Sequence, residues 1–172
     1  LKTITIDEAY KAINWSVIFL IALLIPVGLA MENTGAAKYI SDFILFYSTS
    51  LTSDVYMQAY YVVSILYVLT FIISSFISNA AVAIILSPLA IIVAEYFKNI
   101  DPLISIDPTK AFLMAICFGA STSFMTPIGY QTNLMVFAPG QYKFKDFLIA
   151  GFPITIIFWL IATYFIPIFW PF

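Results

Sequence analysis

The amino-acid sequence predicts an all-α integral membrane protein with a re-entrant helical hairpin and a discontinuous transmembrane helix. Three observations predict it. Hydrophobic residues make up 63% of the 172-residue chain and charged residues 9%, against roughly 25% charged in soluble domains, and the mean hydropathy is +1.03. Uncharged runs long enough to cross a bilayer recur along the chain. Two of these runs, 55–94 and 111–142, are interrupted near their middles by Ser, Thr, Asn, Pro and Gly, with no charged residue in either.

The same composition excludes several classes. A soluble domain built this way would expose mostly apolar surface and aggregate. The net charge of −2 gives no case for a nucleic-acid partner. All seven basic residues are lysines and there is no histidine, which removes the guanidinium fork for phosphates and the usual acid–base side chain. Cys117 is the single cysteine, so no disulfide framework or Cys-rich metal site exists; it is expected to be a small buried hydrophobe. No enzyme reading survives: there is no Gly-rich phosphate loop, the lysines sit outside the apolar runs, and no carboxylate lies within them. No organic cofactor is implied.

Taken in order, the chain opens without an initiator Met or a signal-peptide pattern and is expected to be a piece of a longer one. Thr5-Ile6-Asp7-Glu8 fits a capping box that starts a short helix over 7–13. Residues 13–31 are 19 uncharged positions, enough to cross about 30 Å of hydrocarbon, with Pro26 as a bend. The "ENTG" at 32–35 is a turn. The segment 36–52 is amphipathic, carries Lys38 and Asp42, and is predicted to be a short or interfacial helix.

Residues 55–94 are 40 uncharged positions, about two crossings of helix, yet the only punctuation is Ser74, Ser75, Ser78 and Asn79. A hairpin turning in water uses Gly, Asp or Lys at its corner. The economical reading is a re-entrant hairpin over 55–97 whose arms meet near the bilayer midplane. A polar loop over 95–110 with two Asp-Pro steps follows. The span 111–142 is broken by "GASTSFMTPIGYQTN" at 119–133, where Pro127 and Gly129 favour an unwound link. "KFKD" at 143–146 is a second polar loop, and 147–171 forms the final span, with Trp159, Trp170 and two prolines suited to an interfacial end. The lysines of "KFKD" favour the cytoplasm, which puts the 95–110 loop, the hairpin entrance and the C-terminus outside.

Backbone at membrane depth must satisfy its own hydrogen bonds unless it is buried in protein or lines a wet cavity. The descending arm ends near Ser74–Ile77 with free carbonyls, and the returning arm starts at Ser78-Asn79, both good N-cap residues. At the second break Ser121, Thr122, Ser123 and Thr126 precede Pro127, and Thr132-Asn133 reads as another N-cap pair. Carbonyl ends attract a small cation and amide ends an anion. Two facing breaks therefore make a site for Na⁺ and an oxyanion, as in many secondary transporters. The blander reading is that each hydroxyl bonds back to its own helix or glues neighbouring helices. Without a buried acid to carry protons, Na⁺ is the expected coupling ion.

The stretches "FISNAAVAIILSPLAIIVAEYF" and "GASTSFMTPIGYQTNLMVFAPGQYKFKDFLIAGFPI", with the opening "INWSVIFLIALLIPVGLAMENTGAAKYI", resemble the C-terminal repeat of the divalent anion:sodium symporter family. That family lies within the citrate-transporter-like ion transporter superfamily, and the likeness covers essentially the whole chain. It implies one of two inverted repeats, with the N-terminal repeat elsewhere in the same protein, a homodimer, and a multi-pass location in the cell (inner) membrane. The family's Ser-Asn-Thr signature falls on Ser78-Asn79-Ala80. By resemblance, Asn79 holds Na⁺ together with backbone carbonyls of Ser74, Ile77 and Gly129. Ser78 and Asn79 then touch the anion, and Thr126, Pro127, Tyr130, Gln131, Thr132 and Asn133 complete its surroundings.

Two departures bear on substrate. Ala80 replaces the signature Thr, and Tyr130-Gln131 replace Thr-Pro beside the anion, which leaves sulfate open alongside citrate and dicarboxylates. The expected function is Na⁺-coupled symport of a divalent anion by alternating access. The alternatives are an uncoupled anion or metalloid permease on the same scaffold and a non-transporting membrane subunit.

Overall fold

The computed structural model describes residues 5–13, 15–100 and 107–172. The described residues form eight helices: α1 (Ile6–Ala12), α2 (Trp15–Asn33), α3 (Ala36–Leu51), α4 (Val55–Ser74), α5 (Asn79–Ile100), α6 (Thr109–Ser121), α7 (Gln131–Phe137) and α8 (Phe144–Phe169). Three of them, α4, α5 and α8, are long and apolar enough to cross a membrane.

Helix α6 is the hub, packed against α4, α5 and α8, while α2 and α3 lean on α5. The reason is periodic. Buried Ala59, Val62, Val63, Leu66, Tyr67 and Thr70 recur at three- and four-residue intervals along α4, so one helical face is apolar and continuous. Phe112, Ala115 and Ile116 answer it from α6, and Val82, Leu86, Leu89 and Val93 from α5. The outer faces are equally apolar yet uncovered: Leu23 is 71% and Phe169 68% exposed. Helix α8 buries little beyond Gly151, Thr155, Ile166 and Pro167. A surface of that kind belongs in lipid or against more protein.

Several details differ from the sequence reading. Helix α5 runs on through 95–100, and α6 starts at Thr109, so half of the expected polar loop is helical. Its first Asp-Pro step, Asp101-Pro102, lies outside the described residues. "KFKD" is not a free loop either: α8 begins at Phe144, and the Asp146 carboxylate accepts the Lys143 N–H at 2.7 Å, satisfying an orphan donor of the first turn. Trp159 sits well inside α8 rather than at its end; its indole N–H donates to the Ser64 hydroxyl at 2.9 Å, tying the middle of α8 to α4. Cys117 is exposed, because the inner face of α6 is already filled by its alanines, Phe112 and Ile116. The Thr5–Glu8 capping box forms as read.

Outside the spans, Asp107 pairs with Lys98 at 3.0 Å. Its carboxylate also accepts the Thr109 hydroxyl at 2.6 Å. The Thr109 bond first, and then Lys98, hold its pKa below the ordinary aspartate value of 3.8. A depressed folded-state pKa stabilises above the unfolded value and is lost as pH falls through the folded one. Asp107→Asn is therefore expected to lower stability at pH 7 by less than about 1 kcal/mol, because both side chains are largely solvated. The gap between parent and variant should close as detergent-solubilised protein is melted at successively lower pH beneath 3.8.

Candidate functional site

Both polar interruptions are real breaks, and they meet. Helix α4 stops at Ser74 and α5 starts at Asn79, with 75–78 outside either helix. The carbonyls of Phe71, Ile72 and Ile73 are taken up by the amides of Ser75, Phe76 and Ile77, which leaves those of Ser74 and Ser75 as the orphan acceptors of the helix end. Helix α6 stops at Ser121, and 122–130 runs as an unwound link to α7. The two helix ends approach because the link presents no side chain at Gly129. A Cβ there would sit 3.0 Å from the Ser74 carbonyl oxygen and 2.9 Å from Ser123 Cβ.

The meeting point is a cluster of oxygens. Ser74 Oγ lies 2.7 Å from Asn79 Oδ1 and 2.7 Å from the Ala120 carbonyl. Ser123 Oγ lies 2.7 Å from the Gly129 carbonyl and 3.3 Å from Asn79 Oδ1. Ser74 and Ser123 are fully buried. Among the described residues no carboxylate takes part, and no group of three or more His, Cys, Asp or Glu side chains stands ready for a metal.

Neighbouring hydroxyls behave differently. Thr70, Ser75, Ser87 and Ser121 each donate to the carbonyl four residues back, the ordinary habit of hydroxyls in apolar helices. Thr122 bonds Gly119 O at 3.0 Å and receives the buried Tyr67 hydroxyl at 2.9 Å, fastening the end of α6 to α4. Back-bonding thus accounts for these residues, whereas Ser74 and Ser123 bond across the breaks, Ser74 to the Ala120 carbonyl of α6 and Ser123 to the Gly129 carbonyl of the link.

The residues singled out from sequence are placed as follows. Ser78 is exposed, and its side chain reaches the Ala81 amide only at 3.4 Å; it caps α5, whose first amides have no intrahelical partner. Asn79 is half-buried at the cluster. Ile77 is 47% exposed, and its N–H bonds back to Ile73; no hydrogen bond among the described residues ties its carbonyl to the cluster. Thr126 is buried and its hydroxyl is fully engaged, with Ser75 O at 2.5 Å and the Gly129 N–H at 2.9 Å. Pro127, within the link, is buried, while Tyr130, Gln131 and Thr132 are exposed. Thr132-Asn133 is not an N-cap pair: α7 starts at Gln131 with Tyr130 as its N-cap. Asn133 instead donates to the carbonyl of Thr126 at 3.2 Å.

Ser123 and the Ala120 carbonyl were missed as site groups. Their signal was the run Ser121-Thr122-Ser123, but three adjacent hydroxyls point three ways and only the fold says which turns inward. Behind the link lies a cavity of about 420 Å³, lined by Phe124, Asn133, Tyr142, Asp146 and Gly151 among others. It adjoins the oxygen cluster through the link and does not contain it.

The family model described as "Citrate transporter" matches residues 1–171. An uncharacterized transporter of Synechocystis sp. is 39% identical over 150 residues, 87% of this chain and 22% of the relative. Sodium/sulfate cotransporter 2 of Chlamydomonas reinhardtii is 35% identical over 158 residues, 92% of this chain and 16% of the relative. A sodium-dependent low-affinity dicarboxylate transporter of Caenorhabditis elegans is 25% identical over 142 residues, 83% of this chain and 22% of the relative. The chain thus spans about a fifth of the length of these relatives. No solved structure gives a significant match. Apolar spans, two joined helix breaks and a family match over nearly every residue lead to one assignment: the chain is a multi-pass membrane protein that belongs to the citrate transporter family.

Proposed function

We propose that this chain is one half of a Na⁺-coupled anion symporter, with Na⁺ held in the oxygen cluster at the two breaks. The observation that carries the reading is the meeting, at two helix breaks, of the Ser74 and Ser123 hydroxyls, the Asn79 side-chain amide and the Ala120 and Gly129 carbonyls; with the amide oxygen turned inward, protons run short. Four oxygen–oxygen contacts meet at Ser74 and Ser123, but two hydroxyls bring two protons. Two contacts then set lone pair against lone pair, which a cation between them turns from repulsive to attractive. All-oxygen ligands suit a hard cation, and the absence of carboxylates favours a singly charged one, because a divalent ion needs anionic ligands to offset its dehydration. Relatives named as sodium/sulfate and sodium-dependent dicarboxylate transporters support Na⁺.

A second arrangement of the same atoms fits the ion-free state. Turning the Asn79 amide over brings its NH₂ against both serine hydroxyls and gives every contact a proton, since amide orientation follows the hydrogen-bond network. Cation and amide donor then exclude each other, so the cluster stays satisfied when empty.

The anion sits on the open side of Asn79, at the N-terminus of α5, where unpaired amides and the helix dipole favour negative charge. Ser78 and the exposed Tyr130, Gln131 and Thr132 flank it. Ala80 offers no hydroxyl there, which leaves sulfate as good a candidate as citrate or a dicarboxylate. The cation offsets one of the anion's charges, so the loaded site crosses the bilayer at lower cost than the anion alone. A break part-way through a membrane of about 30 Å is supported by α6 and α7, which run about 20 Å to it and about 10 Å beyond it; a re-entrant course for α4–α5 then requires both arms to tilt, since each is long enough for a full crossing. An N-terminal repeat of the same protein supplies the opposing half, the assembly is a homodimer, and the lysines at the start of α8 face the cytoplasm.

The test is uptake of labelled sulfate, succinate and citrate by the complete transporter in proteoliposomes under an inward Na⁺ gradient, with K⁺ and a pH gradient as controls. Accumulation of one anion above equilibrium only with Na⁺ is expected. Equal rates in K⁺, without accumulation, make the protein an uncoupled permease instead.

A further inference from the structure

We infer that Thr126 is a positioning residue for the cation cluster and does not contact the anion; this rests on the reading that a cation occupies the cluster. Thr126 is 3% exposed. Its hydroxyl donates to the Ser75 carbonyl at 2.5 Å and accepts the Gly129 N–H at 2.9 Å. A hydroxyl has one proton to give, and this one is spent on a backbone carbonyl 51 residues away in sequence. Nothing remains for an oxyanion.

What the bond does is mechanical. Ser75 caps the C-terminus of α4 and holds an orphan acceptor, and Gly129 belongs to the unwound link. One side chain joins the two. Gly129 also supplies the carbonyl that meets Ser123 at 2.7 Å. Glycine has no side chain to limit its backbone rotation, so the bond to its N–H restrains where that carbonyl points. Asn133 adds a second strut, donating to the Thr126 carbonyl. Removing the Thr126 hydroxyl leaves a buried acceptor and a half-buried donor unpaired and frees the Gly129 carbonyl from its station in the cluster.

The experiment measures thermal stabilisation of the purified complete transporter in detergent, titrated with NaCl against choline chloride and then with sulfate at saturating Na⁺. Thr126→Val keeps the shape and removes the hydroxyl; Thr126→Ser keeps the hydroxyl. Thr126→Val is expected to raise the half-saturating Na⁺ concentration about tenfold or more, as losses of groups that orient metal ligands do. Its half-saturating sulfate should stay within about twofold, because a bound Na⁺ re-forms the site. Thr126→Ser should return the Na⁺ value close to wild type. If Thr126→Val fails to insert, Thr126→Cys, a weaker donor of similar size, must show the same split.

Weaker sulfate binding with unchanged Na⁺ dependence makes Thr126 an anion contact and overturns the inference. So does a serine variant no better than valine. Wild-type protein indifferent to Na⁺ removes the cation reading itself and this inference with it, whereas failure confined to the variants removes the inference alone.

Discussion

Replacing Asn79 by alanine is expected to abolish Na⁺-driven anion uptake while leaving expression and membrane insertion intact. Asn79 Oδ1 is the one oxygen that both Ser74 and Ser123 approach, so its loss opens the centre of the cluster and keeps only its walls. Loss of a ligand exceeds the 10–100-fold typical of removing its supports. Asn79 is half-buried and outside the packed core, so the fold has little to lose. Asn79→Asp separates the two solutes. It keeps an oxygen facing the serines, removes the competing NH₂ and adds a negative charge. Na⁺ binding should persist, and anion uptake should fail, since two unit charges about 4 Å apart repel by about 4 kcal/mol at an effective dielectric of 20. Initial rates in proteoliposomes and Na⁺-dependent melting decide both. Uptake by the alanine variant at the wild-type rate removes Asn79 from the mechanism.

The second large effect is expected far from any solute, at Gly151→Ala. Gly151 lies on α8 where it presses on the unwound link; a Cβ there would stand 2.5 Å from the Phe124 carbonyl oxygen, 2.7 Å from its carbon and 2.9 Å from Met125 Cα. All three are backbone atoms, so no rotamer change relieves the clash. Either α8 backs away or the link moves toward α4. Overpacking of this kind costs about 1–3 kcal/mol. Because the link carries Ser123, Thr126 and Gly129, the displacement should also weaken Na⁺ binding. A lowered apparent Tm in detergent together with a raised half-saturating Na⁺ concentration is the expected pair. An unchanged Na⁺ dependence with a lowered Tm would mean that α8 yields and the link holds.

The breaks were legible in the sequence for a physical reason. Apolar runs without charge must be buried, so Ser, Asn, Pro and Gly inside them stand out against their surroundings. The helices on either side were legible as uncharged runs long enough to cross a bilayer, and the Ala59–Val63–Leu66–Thr70 face of α4 is what the structure buries. What the link does was not legible. Once helical repeat is lost, no rule says whether Ser121, Thr122 or Ser123 turns inward, and the structure assigns them to a back-bond, a tie to Tyr67 and the oxygen cluster respectively. Thr126 is set beside the anion by family resemblance alone; its bond to the Ser75 carbonyl was not legible, because the partner is 51 residues away. Gly151 was silent because a close approach between backbones leaves no trace in hydropathy. The tie from Trp159 to Ser64 was not legible either, because the two lie 95 residues apart.

Cys117 is the chain's only thiol, and it lies one turn before Ser121 on the outward side of α6, where both are exposed. Alkylation needs a thiolate and hence water, so in a background free of other cysteines a maleimide should react there only while an aqueous path reaches that side of the helix. The helix that ends at the oxygen cluster therefore carries its own chemical clock, and labelling rates with and without Na⁺ would time the opening and closing of the space beside it.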